Sequence, residues 1–184
     1  GVMLMSGEFR HGTITQTLLV TPNRWKVLAA KLIGGAALGF GFGLIAELFS
    51  LALGVPLLAL KGVDPAFGSE SVEFVVATLL ATTMCGMLGV ALGSVIRNQI
   101  VAIVVVFATL LIVEQILTAT TESRWPEVQK YFPGHAIAAV VSDEDDETLF
   151  SREGGVAVLA GYVIVLSGVG GRFVFSRDVN SIQA

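Results

Sequence analysis

The sequence predicts an all-α, polytopic membrane helix bundle with about four spans, an amphipathic cytoplasmic helix ahead of them and short re-entrant helices on the outer side. Three observations carry that reading. Charged residues make up 14% of the 184 positions and hydrophobic ones 54%, whereas a soluble domain carries about a quarter charged residues. The charges are kept out of four long apolar runs. Those runs also lack the polar–apolar alternation that membrane-spanning strands require. The chain reads as a single transmembrane domain over 1–184, with 1–31 cytoplasmic, spans at 32–60, 72–96, 100–118 and 156–175, and an outer segment at 119–155.

The first segment opens on Val2-Met3-Leu4-Met5, which reads as the last turn of a helix whose beginning is absent, and no cleavable signal pattern precedes the first span. Further on, Ile14 and Leu18 fall on one helical face and Thr13, Gln16 and Thr17 on another, which predicts a short amphipathic helix. Thr21-Pro22 is a helix-start signal, with Thr21 as N-cap and Pro22 in the first helical position. The helix it starts enters the membrane, anchored at the headgroups by Arg24, Trp25, Lys26 and Lys31. On physics alone, the amphipathic helix either lies on the membrane or docks a cytosolic partner.

A helix needs about 20 apolar residues to cross the hydrocarbon core. The first run, Leu32 to Leu60, is longer than that, and Gly54 and Pro56 are placed to end, kink or tilt it near its far side. The fourth, from Val156, reaches span length only by continuing past Arg172 into Phe173, Val174 and Phe175. Lysine and arginine set the orientation. Seven lie on the side of the two termini and the tight Arg97-Asn98-Gln99 turn, and four on the other. Positive residues favour the cytoplasm, so both termini are expected inside, in the plasma (inner) membrane. The outer segment mixes aromatics and prolines from Arg124 to Val141, then carries the acidic run Asp143-Glu144-Asp145-Asp146-Glu147. Trp and Tyr favour the interface, so its first half is expected to fold back as short helices at the outer leaflet.

Small residues recur every four positions at Gly35, Gly39 and Gly43, and again at Ala77, Ala81, Cys85, Gly89 and Gly93. Such stripes let helix backbones approach closely where no hydrophobic force acts between helices. The third span has no comparable stripe and is expected to face lipid more. Besides Glu73 at the very edge of the second run, two carboxylates fall within the runs. Glu47 sits near the middle of the first, where an ionised side chain is costly, so it either lines a translocation path or bonds to a neighbouring helix. Glu114 lies near the outer end of the third and reads as a boundary residue. No basic stripe interleaved with aromatics suggests nucleic acid. No phosphate-binding loop G-x-x-x-x-G-K-[ST] occurs, and no constellation points to catalytic, metal or cofactor residues.

Glu8-Phe9-Arg10-His11-Gly12-Thr13-Ile14, then Thr17-Leu18-Leu19, Thr21-Pro22 and Lys31, resembles the cytoplasmic segment of ABC type-2 transporter permeases. Tyr131-Phe132-Pro133-Gly134-His135-Ala136 resembles the outer segment before that family's last span. The resemblance runs from end to end, and against the family's usual six spans it implies a chain lacking the first two. It further implies an exporter permease that pairs with a second permease and couples to a separate cytosolic ATPase, which binds the ATP. The coupling segment would comprise Glu8, Arg10, Gly12, Thr13, Thr17, Leu18 and Pro22. The alternatives are part of an ion-gradient-driven secondary transporter and a non-transporting membrane scaffold. Only the first reading needs segment 6–31 to bind an ATPase.

Overall fold

A computed structural model of the chain describes residues 1–11, 13, 19, 21, 23–62, 68–96, 98–121, 124–142 and 149–176. Nearly all of the described residues are helical. Helix α1 (Val2–His11) precedes α2 (Arg24–Leu60) and α3 (Ser69–Val95). Then α4 (Gln99–Ala108) passes through a π-helical turn, Thr109–Val113, into α5 (Glu114–Thr121). Two short helices, α6 (Pro126–Gln129) and α7 (Pro133–Val141), lead to α8 (Arg152–Ser176). Four stretches are long and apolar enough to cross a bilayer: Trp25–Leu60, Ser69–Val95, Gln99–Thr121 and Arg152–Arg172.

Local chemistry fixes the ends, and in places it moves the expected ones. Helix α2 starts at Arg24 with Asn23 as its N-cap, the side chain accepting from the Lys26 N–H at 3.4 Å. The cap is therefore Asn23 rather than Thr21. Both residue types cap helices, and here the amide oxygen takes the orphan N–H of the first turn. Pro22 lies outside the described residues. At its far end, α2 continues through Pro56 and closes only at Leu60. Proline near a helix end removes a single ladder bond, and the apolar run carries the helix past it. Termination falls to Gly62, which turns into the left-handed region at φ 70° while its N–H bonds the Ala59 carbonyl at 3.1 Å. Asn98 caps α4 by accepting from Ile100 and Val101, which makes the turn from α3 tight.

The glycines of α2 form a seam with α3. A Cβ at Gly35 would stand 2.9 Å from the Gly86 carbonyl, and one at Gly39 would stand 3.0 Å from the Thr83 Cα. The seam partners on α3 are Thr82 and Gly86. The stripe from Ala77 to Gly93 faces other neighbours. Gly89 and Gly93 meet α1 near Val2, while Ala81 packs with Ala136 and Val140 of α7 and Leu159 of α8. Helix α3 is thus the centre of the bundle, with α2, α8, α1 and α7 around it.

The third span, Gln99–Thr121, is the peripheral one. Val104, Phe107, Leu111 and Ile112 along its middle are exposed, as the absence of a small-residue stripe leads one to expect. It is contacted by α1 at its Gln99 end and by α6 at its Thr121 end. Segment 124–141 bridges the Thr121 end to the last span. Gln129 donates to the Thr118 carbonyl at 3.1 Å on one side, and the Tyr162 hydroxyl donates to the Tyr131 carbonyl at 2.9 Å on the other.

Candidate functional site

Two polar sites stand out on this apolar frame, one at each end of the third span. The Glu8–Lys31 site, toward the Gln99 end, joins α1 to α2. Glu8 lies on α1, and Lys31 lies two turns into α2. The Lys31 Nζ meets Glu8 Oε1 at 2.6 Å and also donates to the Leu4 carbonyl at 3.1 Å. Both side chains are largely shielded, at 11% and 25% exposed. A shielded pair of this kind holds well only while both partners are present, because either one left alone keeps its desolvation cost. Glu8 Oε2 is buried without a partner among the described residues, so Lys31 alone balances this carboxylate. Two residues on, Arg10 reaches Gln99 Oε1 at the start of α4, at 3.4 Å. Helix α1 is thereby tied to both the first and the third span.

Of the residues expected to form the coupling segment, Glu8 is half-buried in that ion pair, and Arg10 and Thr13 are exposed. Gly12, Thr17, Leu18 and Pro22 lie outside the described residues, as do most of the expected amphipathic helix and the acidic run 143–147. Lys31 belongs with Glu8 in space, although it is absent from that set of coupling residues. The only sequence signal for the pairing is that both occur in the cytoplasmic motif.

The Glu114 site, toward the Thr121 end, corrects the reading of Glu114 as a boundary residue. Its side chain is only 4% exposed and points into the protein. One carboxylate oxygen accepts from the Gly134 N–H at 3.0 Å, and the other accepts from the His135 N–H at 3.0 Å. His135 Nδ1 also lies 3.0 Å from Oε1. These backbone groups are first-turn N–H donors of α7, which have no partner within the helix, and the positive end of the helix dipole favours the carboxylate there. Gly134 makes the seat possible, because a Cβ at that position would stand 2.6 Å from Glu114 Oε2.

The π turn aims the carboxylate. An α-helix advances about 100° per residue, so in regular helix Glu114 would stand roughly 120° around from Ala102, the fully buried residue of α4. The wider π turn rotates less per residue and brings Glu114 back toward the buried side. Its signature is the Glu114 N–H bonding the Thr109 carbonyl, five residues back.

Glu47 stands apart from both sites. It is half-buried on α2, on the face that carries the glycine seam, and it makes no hydrogen bond or ion pair with a described residue.

The described residues thus form four membrane-length helices, a short helix pinned to two of them, and two short helices packed against the bundle. No curated protein and no solved structure matches the chain. The model of the ABC-2 family transporter proteins matches residues 1–178. The chain is therefore a member of the ABC-2 transporter family, a multi-pass membrane component of the permease type.

Proposed function

We propose that this chain is the permease subunit of an ATP-driven exporter. It works with a separate cytosolic ABC ATPase and a second permease, in a homodimer or a heterodimer, and lies in the plasma membrane with both termini cytoplasmic. The observation that carries this reading is the Glu8–Lys31 pair with its Arg10–Gln99 companion. A motion delivered to the segment after α1 passes through these contacts to the first and third spans together. The ATP sits on the partner, since no phosphate loop occurs in these residues. A ligand shifts a conformational equilibrium only by binding its two states differently, so the partner must grip segment 6–31 differently with and without ATP.

The test is a mild-detergent pull-down of the full-length chain from its own membranes, assayed for co-purifying ATPase activity. A soluble ATPase that stays bound, and is lost when the exposed Arg10 and Thr13 are changed to alanine, supports the reading. Recovery of the intact chain without an ATPase, repeated after crosslinking, overturns it. Direction is read separately, as ATP-dependent accumulation in inside-out vesicles.

A further inference from the structure

The glycine seam between α2 and α3 stops at Gly43. The next position at the same four-residue interval is Glu47, whose side chain is too long for backbones in close approach. Beyond it a groove of about 750 Å³ opens between the two helices, toward the Leu60 end of α2. Leu51 and Leu58 of α2 and Phe74 and Val76 of α3 line it, and among the described residues its ionisable lining groups are Glu47 and Glu70, with no lysine or arginine.

The volume lies within the range of sites that take drug-sized ligands, and the charge pattern says which ligand fits. An ionised carboxylate at bilayer depth is costly unless paired, yet Glu47 has no partner among the described residues. An anionic amphiphile would meet two carboxylates. A neutral hydrocarbon would leave Glu47 unpaired. A ligand with one positive charge on an apolar body satisfies the carboxylate and the aliphatic walls at once, and the Phe74 ring adds a face that attracts cations. We propose that this groove binds an amphiphilic organic cation, with Glu47 pairing its charge and Glu70 drawing it in at the outer mouth. That such a cation is the exported cargo rests on the exporter reading. The binding itself does not.

Two ions of one shape and opposite charge make the test. Equilibrium binding of tetraphenylphosphonium and tetraphenylborate is measured on the full-length transporter, purified with its partners in nanodiscs and without ATP. Saturable binding of the phosphonium alone is expected, weakened about tenfold or more by Glu47→Gln and less by Glu70→Gln. Leu51→Trp, which fills the groove without touching the charge, should also abolish it. Equal binding of both ions, or phosphonium binding indifferent to Glu47→Gln and Leu51→Trp in folded protein, overturns the proposal. So does a disulfide crosslink placing a second copy of the chain in the groove from Leu51→Cys. ATP-driven phosphonium uptake is scored separately. Glu47-dependent binding without ATP-driven uptake would sink the exporter reading and leave the site standing.

Discussion

A carboxylate in an apolar span is tolerated when enough donors face it, and Glu114 has three: two backbone N–H groups and an imidazole. Replacing it with alanine leaves those N–H groups buried and unbonded, so Glu114→Ala should cost about 1–3 kcal/mol. Glu114→Gln keeps one acceptor and should cost less, the two being compared by thermal unfolding in detergent. Gly134→Ala should act like Glu114→Ala, because its Cβ claims the space of the carboxylate. At the Glu8–Lys31 site, Lys31→Met strands Glu8. A double-mutant cycle with Glu8→Gln should return a coupling of about 1–3 kcal/mol, as for a hydrogen bond between charged groups. Little of this was legible in the sequence. Glu114 is visible as a carboxylate in an apolar run, but its partners lie 20 and 21 residues on. No local spacing announces a cap that arrives from another helix.

Elements were easier to read than their ends. Hydrophobicity marks a span over its whole length, so each of the four apolar runs answers to a membrane-length helix. A boundary turns on one residue, and Thr21 and Asn23 are both competent caps. The glycine spacing in α2 located a packing face correctly. The choice of partner on α3 depended on helix rotation, and Gly86 rather than Gly89 meets Gly35. Gly39→Leu should therefore separate α2 from α3 and expose the seam, read as faster proteolysis and loss of a monodisperse elution peak. The π turn was invisible to periodicity, because one wide turn looks like any aliphatic stretch. Deleting Leu111 should restore regular helix and, with eleven residues instead of twelve separating them, leave Glu114 only about 20° around from Ala102, still facing α7. Stability should then change less than in Glu114→Ala, the two being compared by thermal unfolding in detergent.

At the scale of the molecule, α3 gathers the other elements and the third span stays at the edge. The third span is fastened near its two ends, through Arg10 to Gln99 at one and through Gln129 and the α7 N-terminus at the other. Between these points its aliphatic face is open. The consequence is one of leverage. At about 1.5 Å per residue, the 23 residues of this helix make an arm about 34 Å long. A swing of about 10° at the Gln99 end carries the Thr121 end by about 6 Å. No hydrogen bond stretches that far, so α6 and α7 must either ride with the arm or let go of it. A small tilt imposed at α1 would thereby be magnified at the opposite end of the span.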